Sequence, residues 1–359
     1  MTDAPGPYGY GYAPAPPSPK PGVIPLAPLD LGDVLAGAFA AYRRHWAVLL
    51  GMALTTYAVA AALIAGVGLA AWAGLADHYR RWADTPTPGD PGLRDLAPLL
   101  AVLGTVWLVC AVALLVATAL LNAAVATVVQ ETVLGRRAGF GTVWRRAWSR
   151  LGPVLGSLVP PALAALVPVA LSLVGLCLML AAMIVNVSAH GGHDEGVGLA
   201  LTGLLALLLS LGTLPFALWI WVRYSLAPAA AVIESAGPVA AMRRSAELVR
   251  GSWWRIFGCT LVMLLIVGAV SFVVQTGVSA VSQLSMFSVQ AGMDLTLTPG
   301  TLFAAAGALA VTLGLVQLLT HAFLAPLQPL VSGLLYVDQR IRKENLGPVL
   351  AETASVPRS

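Results

Sequence analysis

Six stretches of the chain, residues 47–74, 97–129, 153–186, 198–222, 256–281 and 301–325, are nearly unbroken runs of apolar side chains. Each is long enough to cross a bilayer, which takes roughly 20 helical residues. The runs are continuous and do not alternate with period two, so they are not the strands of a closed β-barrel. They predict six transmembrane helices, the longer ones tilted or continued beyond the hydrocarbon. Pro160, Pro161 and Pro168 in the third run and Pro215 in the fourth predict kinks.

Between the runs the pattern changes to helical periodicity. In DLGDVLAGAFAAYRRHW the apolar residues Leu31, Val34, Leu35, Ala38, Phe39 and Tyr42 fall at offsets 0, 3, 4, 7, 8 and 11. Phe140, Val143, Trp144, Ala147, Trp148 and Leu151 repeat the same offsets in GFGTVWRRAWSRL. Both predict amphipathic helices with a basic face. Asp30 is placed to cap the first helix with Asp33 at its third position, and Leu29 and Val34 to staple it. A weaker third copy, GPVAAMRRSAELVRGSWWRIFG, offers Val239, Met242, Ala246, Val249 and Trp253. Every copy carries an Arg pair and leads into an odd-numbered run. The even-numbered runs also end alike, in AAVATVVQE at Glu131, APAAAVIE at Glu234 and APLQPLVSGLLYVD at Asp338. The predicted architecture is therefore all-α: six transmembrane helices with three cytoplasmic-side amphipathic helices, a pseudo-threefold repeat of helix plus two-span hairpin.

Charge placement sets the orientation. Of the 20 Lys and Arg residues, 17 fall in the first segment, two alternate loops and the tail; only Arg80, Arg81 and Arg94 fall on the other side. Under the positive-inside rule both termini are cytoplasmic. Trp46, Trp144, Trp148, Trp219, Trp221, Trp253 and Trp254 all lie at the same ends, where indole rings favour the headgroup level. Composition agrees: 58% of residues are hydrophobic, 10% are charged and mean hydropathy is +0.84. A soluble domain carries roughly 25% charged residues. The net charge of +4 does not indicate nucleic-acid binding, because the basic residues are needed at the membrane surface. Cys110, Cys177 and Cys259 sit singly in apolar runs and read as small hydrophobes. Residues 1–28, with nine Pro, four Gly and three Tyr, predict a disordered cytoplasmic leader or a Pro-rich ligand for a protein partner. No cleavable signal peptide is visible. The expected domains are that leader, a six-span membrane domain over 29–335 and a basic cytoplasmic tail over 336–359.

The leader, the stretch PGVIPLAPLDLGDVLAGAFAAYRRHW and the pair LAPAAAVIE and GPVAAMRRSAELVRGSWWRIFG resemble the membrane domain of glycerophosphodiester phosphodiesterases. They are most similar to its stand-alone actinobacterial form, over about residues 22–340. In the phosphodiesterases a soluble TIM barrel follows this domain and does the chemistry. Here 24 residues follow Leu335, against roughly 250 for a barrel. The resemblance implies a fold and a bacterial cell membrane, and no activity.

Candidate chemistry is sparse. His190, His193, Asp194 and Glu195 in SAHGGHDEG could offer a metal two imidazoles and a carboxylate, or form a solvated hairpin. Gln317 and His321 lie four residues apart on one helix face within an apolar run, the placement of a proton or substrate path or of a structural hydrogen bond. Asn122, Asn186 and Gln275 suit interhelical hydrogen bonds. Gly152 and Gly156 form a GxxxG, and Glu131 and Glu234 are placed to pair with the Arg-rich helices. No hydrolase, zincin or nucleotide-binding motif is present, and no cofactor is implied. Arg43, Arg44, Arg145, Arg146, Arg243 and Arg244 are the candidate contacts to lipid phosphate. The sequence thus predicts a non-enzymatic membrane protein that organises or associates with anionic lipid or partner proteins at the inner leaflet. The alternatives are a small transporter or lipid-translocating protein, and a membrane component acting with a separate hydrolase.

Overall fold

A computed structural model describes residues 29–83, 93–133, 138–188, 193–291 and 299–344. The leader, most of the SAHGG turn and the last residues of the tail lie outside that range. All ten described elements are helices: α1 (Leu31–Ala83), α2 (Leu93–Val133), α3 (Phe140–Ser149), α4 (Leu151–Ser188), α5 (His193–Tyr224), α6 (Ala227–Ile233), α7 (Pro238–Val249), α8 (Trp253–Ala291), α9 (Pro299–Leu324) and α10 (Leu327–Glu344). Six helical stretches are long and apolar enough to cross a membrane. In hydrocarbon a chain must satisfy its backbone internally, and continuous Leu, Val and Ala runs do so as helices. This is a multi-pass membrane protein. Large apolar side chains such as Leu69, Leu201, Leu211, Phe272 and Val273 lie exposed along the spans, as lipid contact requires.

The first amphipathic segment is not a separate helix. It continues into the first span across a kink at His45 (φ −122°, ψ 23°). Helical assignment runs unbroken through Pro160, Pro161, Pro168 and Pro215. At the N-terminus of α1 the Asp30 N–H donates to the side chain of Asp33 (Oδ2, 3.2 Å), and Leu29 and Val34 are fully buried.

The buried core gathers at one end, where the last turns of α2 pack with α6 and α10, wrapped by α3, α7 and the start of α1. The approach of α2 to α10 is close: a Cβ on Gly333 would stand 3.0 Å from Val129 Cγ2. The core runs past Leu335, because Tyr336, Val337, Asp338, Gln339 and Ile341 are buried in α10. Burial in α10 therefore continues to Ile341. The amphipathic helices bury narrower faces than their patterns suggested. In α3 only Val143 and Ala147 are buried, and in α7 the buried residues are Ala241, Ser245, Leu248 and Val249. Val239, expected on the buried face, is 77% exposed.

Farther along the spans, α4 and α5 form the closest hairpin. Gly175 and Gly203 face one another; a Cβ on Gly175 would meet Gly203 O at 2.8 Å. Beside them Ser172 and Ser210 hydroxyls hydrogen-bond at 2.6 Å, and Ser210 Oγ donates to Pro168 O at 2.8 Å. The pair Gly152 and Gly156 has another use. Gly156 admits Pro238 of α7, which a Cβ would meet at 2.8 Å, so the close approach is within the chain.

Candidate functional site

Two ion-pair centres on α10 lock the packed end. Asp338, 0% exposed, accepts the Leu29 N–H at 2.8 Å, Arg255 Nη1 at 2.9 Å and Arg342 Nε at 3.0 Å. Both arginines also donate to the Leu29 carbonyl. One carboxylate thereby ties the start of α1 to α8 and α10. The second centre is Glu234, at the end of α6. It accepts Arg244 Nε at 3.1 Å and the Tyr336 hydroxyl, with Arg340 Nε at 3.8 Å. Glu344 completes it by binding Arg244 and, at 2.8 Å, Arg340 Nε. Burial works against the charge on Arg244, but Glu234 and Glu344 outweigh it and raise its pKa. Lys343 Nζ donates to the carbonyls of Glu247 and Arg250 at 3.1 and 2.7 Å, closing the end of α7.

These centres sort the expected phosphate ligands. Arg244 is committed to carboxylates inside the protein. Arg43, Arg44, Arg145 and Arg243 are exposed, and Arg146 is half-buried. The expected pairing of Glu234 with an Arg-rich helix is present. At this end Trp46, Trp148, Trp219 and Trp254 are exposed, and Phe140, Trp144 and Trp148 form a row along α3 with centroids about 6 Å apart. Above that row lies an apolar groove of about 550 Å³ between α1 and α2, walled by Val59, Leu63, Val112 and Val116 and floored by Trp144 and Trp148. About three helical turns back along α1, Arg44, His45, Trp46 and Ala138 line a polar pocket of about 420 Å³.

A third cavity, of about 320 Å³, lies where α1, α2, α4, α5, α9 and α10 converge. Tyr57, Asn122, Tyr224, His321 and Gln328 are among its lining residues. His321 stands edge-on to Tyr57, with centroids 4.6 Å apart and planes at 85°. The residue that joins it is Gln328, not Gln317, which is exposed on α9. Both amide atoms of Gln328 are buried without a hydrogen-bond partner. The signal for Gln328 in the sequence is its place between Pro326 and Pro329, where α9 gives way to α10. Asn122 does not bridge helices with its amide; Nδ2 donates to Thr118 O of its own helix at 2.8 Å.

The metal candidates cannot be placed as a group: His190 is outside the described residues, as are the side chains of His193, Asp194 and Glu195. The side chain of Asn186 is outside them too, and Gln275 is exposed. Among the described residues no three His, Cys, Asp or Glu side chains cluster to hold a metal. The described cysteines are free thiols.

A family model described as a domain of unknown function (DUF7847) matches residues 29–333. No curated protein and no solved structure matches the chain.

Proposed function

Because the chain belongs to the DUF7847 family, whose description assigns no activity, we propose a role from its geometry: it binds anionic phospholipid at the inner leaflet of a bacterial cell membrane, without turning it over. In this reading both termini are cytoplasmic. The start of α1, α3 and α7 are three copies of one interfacial helix, each opening a two-span hairpin. The observation that carries the reading is the groove between α1 and α2. Its apolar walls suit an acyl chain, its indole floor suits the headgroup level, and Arg44 lies roughly 16 Å back from Thr55 along the same helix. Guanidinium groups bind phosphate through paired, charge-assisted hydrogen bonds. Each basic residue near an anionic leaflet contributes roughly 1 kcal/mol.

Arginine-to-lysine exchange separates lipid recognition from topology, since lysine keeps the charge and loses the fork. Native mass spectrometry of the full chain carrying Lys at positions 43, 44, 145, 146 and 243 should show weaker retention of phosphatidylglycerol and cardiolipin. Unchanged retention leaves these arginines as topology signals. Arg244 is left intact in that variant because it holds the fold.

Two other roles keep some support. The polar cavity favours a carrier of a small polar solute or lipid headgroup. The resemblance to phosphodiesterase membrane domains favours a partner to a separate hydrolase.

A further inference from the structure

We propose that the cavity shared by α1, α2, α4, α5, α9 and α10 binds a neutral polyhydroxylated ligand, of the glycerol or sugar class. The site uses none of the arginines of the inner-leaflet reading, so either can fail alone.

Three observations carry the proposal. First, the described wall contains no Asp, Glu, Lys or Arg. A charged ligand would lose its hydration there and meet no counter-charge, which is costly in a medium of low dielectric. Second, the wall is rich in groups that both donate and accept: the hydroxyls of Tyr224, Ser225 and Ser332 and the amides of Asn122 and Gln328. Ser225, Ser332 and Asn122 already donate to backbone carbonyls of their own segments, which leaves their oxygens to accept. A ligand with several hydroxyls can donate to them and pair with the Gln328 amide, whereas an acyl chain can do neither. The rings of Tyr57 and Trp221 add apolar faces for the C–H side of such a molecule. The contrast with the groove between α1 and α2, whose lining is aliphatic and aromatic apart from Thr55 and Thr56, is sharp. Third, both amide atoms of Gln328 are buried and without a hydrogen-bond partner. Burial without partners is unfavourable for both groups. A small rotation of the side chain into the cavity would place the amide on a ligand hydroxyl.

The volume, about 320 Å³, is at the small end of ligand pockets and fits one small headgroup or monosaccharide. His321 lines the cavity and is exposed, so the site is open at that wall. Through it the ligand could come from solution or as the headgroup of a lipid. The chemistry recognised is the same.

The test uses the full chain in phosphatidylcholine nanodiscs. One arm measures equilibrium binding of glycerol, inositol and glucose. The other measures retention of glucosyldiacylglycerol by native mass spectrometry. Saturable binding in the first arm identifies a free solute, and binding in the second alone identifies a lipid headgroup. Either should weaken at least tenfold in Gln328→Leu and in Asn122→Leu. The Gln328→Leu protein should melt no lower than the wild type, because it removes an unpaired amide, so lost binding in it is not lost folding. Absence of saturable binding in both arms overturns the proposal. So does binding that both variants leave unchanged, since the ligand would then sit elsewhere.

Discussion

Single charges near the packed end do unequal work, and burial sets the difference. Asp338 is fully buried with two guanidinium groups and a backbone N–H on its oxygens. Removing its charge strands Arg255 and Arg342, and breaking a buried pair in this way costs about 3 kcal/mol. Asp338→Asn should therefore lower the unfolding free energy of the full chain in detergent by about that much. Glu247→Gln is the matched control. Its carboxylate is 60% exposed and 4.0 Å from Arg244, so the change should be under about 0.5 kcal/mol. Equal losses from the two would mean that Asp338 is not the tie described. Ser235 is a second test at this scale: it holds φ at +55°, a left-handed conformation that costs a non-glycine residue roughly 1 kcal/mol. Ser235→Gly should raise the melting temperature slightly. Residue roles were only partly legible in the sequence. The pairing of Glu234 with the Arg-rich helix followed from its place in the repeated ending. The partners of Asp338 did not, because Arg255 and Leu29 reach it from segments far away in sequence. The exposure of Val239 was hidden for a different reason. In a bilayer an apolar side chain is equally at home against lipid or protein, so hydrophobicity no longer marks the inward face.

At the scale of elements the six spans were legible and their packing was not. Span length follows from bilayer thickness, and a continuous apolar run reports it directly. Helix pairing in lipid depends instead on small residues that let backbones approach. The sequence contains many glycines, and only the structure shows which of them matter. Gly152 and Gly156 looked like a pairing motif, yet Gly156 receives Pro238, while Gly175 and Gly203 make the α4–α5 crossing. Gly175→Leu should force those helices apart, since its Cβ would meet a backbone oxygen at 2.8 Å that no rotamer change can move. Overpacking of this kind costs about 1–3 kcal/mol. Thermal unfolding in micelles should show it as a lower midpoint, whereas Gly268→Leu, with open space around it, should not. The kink of α1 escaped sequence reasoning as well. The prolines drew attention to α4 and α5, but the break in helical dihedrals lies at His45, where the chain turns from the packed end into its first span.

For the whole molecule the packed end gives a physical reason to expect one orientation. That end holds the short helices, both ion-pair centres, the described exposed arginines and the exposed indoles of Trp46, Trp148, Trp219 and Trp254. Charged side chains resist translocation across the membrane, and the excess of Lys and Arg sets topology. A molecule whose compact, charged core sits at one surface would have to carry 17 of its 20 basic residues across the bilayer to adopt the opposite arrangement. Reporter fusions after residues 140, 240 and 345 should therefore report cytoplasm, and fusions near 85, 192 and 290 should report the outside. The fusion near 192 is the most demanding, because it tests the hairpin of α4 and α5 in isolation. A cytoplasmic signal there would leave that hairpin uncrossed and reduce the six spans to four. It would also separate the crossing at Gly175 and Gly203 from the bilayer interior, where close approach of small residues takes the place of the hydrophobic effect in holding helices together. An outside signal at 192 with cytoplasmic signals on both flanks is the expected result.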